Sequence, residues 1–332
     1  MNRPSYPLLL TALAGLVCVA FIASLLVGPS ELGILESLKN LYSSEQTAAS
    51  IVMQEIRLPR AILGLTIGLT LGLSGAVLQG FLRNPLAEPG ILGISSTAAF
   101  GAVLTIYSGI STAFALAVPI AGLGGALAGV VLVRAMAGPT GSTLSLILAG
   151  VAVTAMAGAM TTLVLNLSPN PFAAMEIVFW MLGSLTDRSM THVWMTAPFM
   201  LAGWIMLGSL ARPLDTLTLG SDAAATMGVD VKRLQNLAVF GTAASVGAAV
   251  SVSGAIGFIG LVVPHVLRPF VGSVPSRLLP ASALGGAALL LAADVLVRVI
   301  APERDLKIGV LTSLVGAPFF LWLIHRSRRN EL

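Results

Sequence analysis

Charge is what this chain has least of. Only 10% of its 332 residues are Asp, Glu, Lys or Arg, against roughly 25% in ordinary soluble domains. A water-facing surface cannot be assembled from so little charge, which excludes a soluble globular protein. Lysine is scarcer still: Lys39, Lys232 and Lys307 are the three, and none follows a glycine. No Gly-x-x-x-x-Gly-Lys-Ser/Thr phosphate loop exists, so ATP hydrolysis through that motif is excluded. The one cysteine, Cys18, rules out an intrachain disulfide and leaves the redox compartment open. His192, His265 and His325 are far apart, and neither His-Glu-x-x-His nor Cys-x-x-Cys occurs, so one chain offers no recognisable metal or haem ligand set.

What is present is apolar. Hydrophobic residues make up 56% of the chain, and the mean hydropathy is +0.94. Helices that satisfy their own backbones are the way to place such a chain in lipid. An all-α polytopic membrane protein is expected, about ten spans of ~20 residues with short connections. No stretch is polar enough for a second, soluble domain, so residues 1–332 read as a single transmembrane domain. The net charge of +4 would suit nucleic acid in a soluble protein, but here basic residues set orientation and no nucleic-acid partner is expected.

Uncharged runs fall at 8–28, 61–82, 89–133, 135–175, 189–211, 234–267, 278–293 and 308–325. The 89–133 run is long enough for two helices, with Tyr107-Ser108-Gly109 and Pro119 marking the turn. The 234–267 run also suits two, broken at Ser251-Val252-Ser253-Gly254. The 135–175 run suits one long helix followed by a re-entrant or interfacial piece near Asn166–Pro171. Residues 8–28 follow Arg3 but exceed a usual signal-peptide core and lack a small-x-small cleavage site, so an uncleaved first helix is expected.

An even span count puts both termini on one side. With the termini cytoplasmic, Arg3, Arg83, Arg134, Arg212, Lys232, Arg233, Arg268, Arg277, Arg326, Arg328 and Arg329 lie inside. Lys39, Arg57, Arg60, Arg188, Arg298, Arg304 and Lys307 then lie outside, and eleven against seven satisfies the positive-inside rule. Glycines recur every four residues in the second span, at Gly64, Gly68 and Gly72, continued by Ala76 and Gly80, a stripe that lets another helix approach closely. Asp294 is the clearest ionisable candidate inside a span. It stands four residues before Arg298, a spacing that suits a same-face ion pair, so a structural acid competes with a proton site.

Between two apolar runs stands Arg83-Asn84-Pro85-Leu86-Ala87-Glu88-Pro89-Gly90-Ile91-Leu92-Gly93, which must turn. Other motifs are Arg57-Leu58-Pro59-Arg60, Leu73-Ser74-Gly75-Ala76-Val77-Leu78-Gln79-Gly80, Gly257-Phe258-Ile259-Gly260-Leu261-Val262-Val263-Pro264-His265, Leu279-Pro280-Ala281-Ser282 and the run from Ile308-Gly309 to Gly316-Ala317-Pro318-Phe319-Phe320. In order and spacing these resemble the permeases of binding-protein-dependent ABC importers for vitamin B12, iron siderophores and haem, from about residue 55 to 325.

That resemblance implies ten spans per subunit and a second permease subunit, expected to be an identical copy. It also implies two ATP-binding subunits that hold ATP and Mg, and a periplasmic or lipid-anchored binding protein. No cofactor is expected in this chain, which is placed in the bacterial inner membrane with both termini cytoplasmic. Arg57, Arg60 and Arg298 match positions that face acidic residues of the binding protein; interfacial arginines reaching for headgroups are the plainer alternative. A coupling segment at about 213–230 is implied, with Leu219-Gly220-Ser221-Asp222-Ala223-Ala224-Ala225-Thr226-Met227-Gly228 seated on the ATPase. Ser221 or Asp222 would cap a short helix that Gly228 stops. Asn84 and Leu86, with Ser142 and Thr143, match residues that narrow the inner end of the path; ordinary helix capping is the alternative.

The remainder of the Arg83–Gly93 loop, with Glu88, is expected to fix the turn and abut the ATPase side. Met156, Met160, Met175, Met181, Met190, Met195, Met200 and Met206 could line a smooth wall or merely fill space. The implied function is alternating-access import of a metal chelate, ferric siderophore first, haem or cobalamin otherwise. A secondary transporter driven by an ion gradient is the alternative, and an intramembrane enzyme lacks convergent catalytic groups.

Overall fold

Every regular element described is helical. A computed structural model describes residues 5–28, 33–138, 142–168, 170–302 and 304–329; Arg3 and the side chains of Arg326, Arg328 and Arg329 lie outside the described residues. The helices are α1 (Tyr6–Leu26), α2 (Ile34–Leu41), α3 (Ala48–Phe81), α4 (Ile94–Tyr107), α5 (Ala117–Ala137), α6 (Thr143–Asn166) and α7 (Pro171–Met181). They continue as α8 (Met190–Gly208), α9 (Ala211–Leu217), α10 (Ser221–Thr226), α11 (Val231–Ser253), α12 (Ile259–Val271), α13 (Pro275–Ile300) and α14 (Ile308–Arg329).

Seven of them, α1, α3, α5, α6, α8, α11 and α13, are long and apolar enough to cross a membrane. The shorter apolar α4, α12 and α14 complete the ten expected spans, and α7 is the short piece expected after the fifth. The breaks fall where the composition places them. Tyr107 ends α4 ahead of Gly109, whose φ is +75°, and α11 stops at Ser253 ahead of Gly254, whose φ is +68°.

The second span departs from its expected start. The uncharged run begins at residue 61, yet the helix begins at Ala48 and carries Arg57 and Arg60 within it. Pro59 has no N–H to give the carbonyl four residues back. The turn ahead of it widens into a π-turn over Val52–Arg57, in which the Leu58 N–H bonds the Met53 carbonyl.

One large cluster of buried side chains runs through the bundle, including Leu63 and Val77 of α3, Ile94 of α4, Val133 of α5, Leu207 of α8, Val246 of α11 and Leu290 of α13. The glycine stripe of α3 brings α13 backbone to backbone. A Cβ at Gly68 would stand 2.5 Å from the Gly286 carbonyl oxygen and 2.7 Å from the Ala287 Cα, and one at Gly72 would collide with the Ser282 carbonyl. Gly80 falls outside this contact, with nothing nearer to its added Cβ than the Leu214 side chain at 3.6 Å.

The two ends of the bundle are distinct. At one, Tyr6 of α1 donates to the Arg277 carbonyl at 3.4 Å, and the Ser276 N–H bonds the Asp215 carboxylate at 2.8 Å, joining α1, α9 and the start of α13. At the other, the end of α1 meets α2, the start of α3 and the end of α13.

Candidate functional site

At the second end, two guanidinium groups converge on one carboxylate, with a third arginine close by. Asp294 is fully buried and accepts from Arg60 (Nε to Oδ1 at 2.9 Å, Nη2 to Oδ1 at 2.8 Å) and from Arg298 (Nη2 to Oδ2 at 2.6 Å). The i,i+4 pair read from the sequence therefore forms, and Arg60, distant in the chain, joins it. Arg298 also donates to the carbonyls of Ser24 (2.9 Å) and Val27 (2.6 Å). Arg57 donates to the carbonyls of Leu25 (3.0 Å) and Leu26 (2.9 Å). These are the unpaired last carbonyls of α1, where cations also complement the helix dipole. A side chain at Gly28 would run into the Arg57 guanidinium.

Arg57 is 3% exposed and committed to α1, whereas Arg60 and Arg298 are only partly buried. Arg60 and Arg298 line a cleft of about 250 Å³ with Thr186, Arg304 and Asp305. Within this cluster three cations, Arg57, Arg60 and Arg298, stand against the one buried acid Asp294.

The Arg83–Gly93 loop turns where expected and then does something the sequence did not disclose. Arg83 takes a left-handed φ of 48°, and the exposed Asn84 accepts the Leu86 N–H at 2.9 Å to close the turn. The chain then climbs back into the bundle. A Cβ on Gly260 of α12 would lie 2.9 Å from Pro89 and 3.0 Å from the Leu71 carbonyl. Leu71 stands about 15 Å from the Phe81 end of α3 at a rise of 1.5 Å per residue. Ile91 packs its carbonyl against Gly150, inside α6.

The expectation that Glu88 abuts the ATPase side is therefore corrected: Pro89 follows it with no N–H to satisfy, and the small residues Gly150 and Gly260 leave room for the backbone to enter. Glu88 is half-buried and shares a small cavity with Leu71, Ala255, Gly257 and Phe258. Phe258 caps α12 in a left-handed conformation, φ 67°, which costs a non-glycine residue on the order of 1–2 kcal/mol. Its ring lies against Gly316 of α14.

Ser142 caps α6 by accepting the Ser145 N–H at 3.2 Å, and Thr143 is the first residue of that helix. Asn84 and Ser142 thus both make local caps. The short helix foreseen near 221 is α10, but its N-cap is Gly220, φ 106°, with Ser221 and Asp222 inside the first turn. The displacement follows from the backbone, because a φ that far positive falls to glycine and not to serine or aspartate. Gly228, φ 85°, follows its end. Leu219 (65%) and Met227 (64%) are exposed at either side, while Ala224 is buried.

Two larger cavities flank α7. One, about 760 Å³, is an apolar groove along α14 that includes Met181, Ala255, Gly257, Gly309, Leu314 and Pro318. The other, about 560 Å³, contains Met175, Glu176, Arg188, His192, Ser251 and Lys307. Arg188 donates to the Val252 carbonyl at the end of α11; its burial lowers the guanidinium pKa, and the neighbouring Asp187 opposes this. Of the methionines, Met175 and Met181 line cavities, whereas Met200 is core and Met156 and Met160 are exposed.

The chain matches the FecCD transport family over residues 16–326 and belongs to that family. It is 43% identical over 279 residues to the cobalamin import system permease protein BtuC of Halobacterium salinarum, covering 83% of this chain and 74% of that one. To the hemin transport system permease protein HmuU of Yersinia pestis it is 37% identical, covering 92% and 93%. A solved structure described as an inward-facing metal-chelate type ABC transporter superposes with a TM-score of 0.84 at 31% identity, covering 96% of this chain and 99% of that one. The protein is accordingly the transmembrane permease of an ABC importer, not its ATPase.

Proposed function

We propose that this permease imports a metal chelate or corrinoid by alternating access, powered by two separate ATPase subunits and supplied by a substrate-binding protein. The observation that carries the reading is the family match over nearly the whole chain, on a fold with no nucleotide-binding loop of its own. ATP and Mg belong to the partner subunits, and this chain holds no cofactor. The Asp294 end faces outward and the α9–α10 end faces the cytoplasm, with both termini, in a bacterial inner membrane.

The binding protein docks at the Asp294 end. Arg60 and Arg298 receive its acidic side chains at the 250 Å³ cleft. Arg57 serves the same site from beneath by clamping α1. At the other end, Leu219 through Gly228 seats on the ATPase, with Leu219 and Met227 as anchors. Asn84, Leu86, Ser142 and Thr143 narrow the inner mouth. A second copy of the chain closes the α14 groove into the path.

Ferric siderophore is the first cargo to test. Cobalamin is favoured by a separate observation, the 43% identity to a cobalamin permease, and haem by the hemin permease. The test is reconstitution in liposomes with the cognate ATPase and binding protein, presenting each of the three ligands. One of them should stimulate ATP hydrolysis and accumulate in the lumen. Uptake by the purified permease alone, driven by an ion gradient, would establish a secondary transporter instead.

A further inference from the structure

Two of the motifs, residues 73–80 on α3 and 257–265 at the start of α12, meet face to face. α12 carries Pro264 and Pro269 inside it. Neither has an N–H, so Pro264 leaves the Gly260 carbonyl without its helical donor, and Pro269 does the same to the His265 carbonyl. At the first of these gaps α3 supplies the missing donor. The Nε2 of the buried Gln79 donates to the carbonyls of Gly260 (3.4 Å) and Leu261 (3.2 Å). One turn earlier on α3, a Cβ at Gly75 would collide with that same Gly260 oxygen, so the glycine lets the carbonyl reach α3. The other end of the amide is used as well: Gln79 Oε1 accepts from Arg268 Nη2 at 2.6 Å. Among the described residues this is the guanidinium's one hydrogen bond. None of them places a carboxylate within ion-pair distance of Arg268, and its Nε is buried without a partner.

An amide is the group this place requires. It must donate to carbonyls on one side and accept from a guanidinium on the other, which ionised glutamate, lysine and methionine each fail to do. We propose that Gln79 is a positioning residue: it closes the gap that Pro264 opens in α12 and binds residues 259–268 to α3 as one rigid piece. α12 connects two places that matter to transport. Its start follows the break whose Ala255 and Gly257 line the α14 groove. Its end turns into α13, where the Ser276 N–H bonds Asp215 of α9. A helix with an unfilled proline gap bends at the gap. Without Gln79, movement entering from α9 is absorbed at Pro264 before it reaches the groove. The proposal rests on the importer reading for its transport readout.

The variant that separates the roles is Gln79→Glu, whose carboxylate keeps Arg268 and loses the donor. Pro264→Ala then returns the backbone N–H that the Gly260 carbonyl lacks. The reconstituted complex is read as cobalamin imported per ATP hydrolysed, or haem or ferric siderophore if the parent accumulates that instead. Gln79→Glu should lose about tenfold or more, because two buried carbonyls then face a carboxylate. Pro264→Ala should stay within about twofold of the parent, and the Gln79→Glu/Pro264→Ala pair should recover to within about threefold. A side chain that merely fills space or balances Arg268 predicts the opposite, since glutamate has the same shape and pairs more strongly with a guanidinium. A full ratio in Gln79→Glu, or no recovery in the pair, would overturn the proposal. Melting of the permease alone, across the same four proteins, needs no partner. The cost of Gln79→Glu should shrink in the Pro264→Ala background, and additive shifts would sink the brace. Should Gln79→Glu fail to assemble, the pair must assemble, and failure of both overturns the proposal as well. Absent uptake by the parent complex would sink only the importer reading.

Discussion

The two halves of α3 are held in opposite ways. From Met53 to Arg60 the helix is fixed by charge, with guanidiniums shared among Asp294 and the last carbonyls of α1. From Gly68 to Gly75 it is fixed by backbone contact, glycine against Gly286, Ser282 and Gly260. A charged contact can be exchanged: a carboxylate arriving from outside competes with Asp294 for the same guanidiniums. Backbone contact between glycines has no alternative partner, because packing, not hydrophobicity, drives helix association in lipid. On the docking proposed above, the charged half is the one a binding protein would reach, and the glycine half is the one closed by packing.

The largest blow to the charged half should come from Asp294→Asn, which leaves two buried guanidiniums facing a neutral amide. We expect a loss of about 3–5 kcal/mol, seen as a large fall in melting temperature of the purified permease. A shift under a degree would mean that the α1 carbonyls alone hold the arginines. Next, Gly72→Ala attacks the packed half, where the new methyl meets the Ser282 carbonyl, and should cost about 1–3 kcal/mol by the same measurement. Folded molecules of that variant should still bind the loaded binding protein normally.

Arg60→Gln should do the converse. Capture of the binding protein should weaken about tenfold, about 1.4 kcal/mol, in a titration on immobilised permease. Equal affinity would remove Arg60 from the docking site. The smallest effect is expected from Gly80→Ala. That glycine shares the four-residue beat but not the contact, so alanine should be neutral or stabilise by up to about 1 kcal/mol. A cost like that of Gly72→Ala would erase the distinction within the stripe.

Much of the fold was legible beforehand. Span positions, the breaks at Gly109 and Gly254 and the short piece before Gly183 follow from local hydropathy and from glycine and proline, which act within a few residues. The Asp294–Arg298 pair was legible for the same reason, being one turn apart. Arg60 at Asp294 was not, since it depends on how α3 crosses α13. The burial of Arg57 was misread because an arginine beside an apolar run looks exposed until the carbonyls that receive it are located. Glu88 carried a signal, an acid followed by proline in a membrane loop, but nothing local told whether the loop stayed at the surface. Phe258 carried almost none, as the Gly316 notch that receives its ring is set by how α14 crosses the start of α12.

Composition and pattern by themselves determined that this is a polytopic helical membrane protein, where several of its helices break, and that it carries no phosphate loop. Each of those follows from the cost of unpaired backbone in lipid and from a motif being present or absent. The tertiary structure alone decided which charges pair, which arginine is spent on a helix end, and how deep the Arg83–Gly93 loop reaches. Those outcomes depend on which carbonyls and glycines the crossing helices bring to one place.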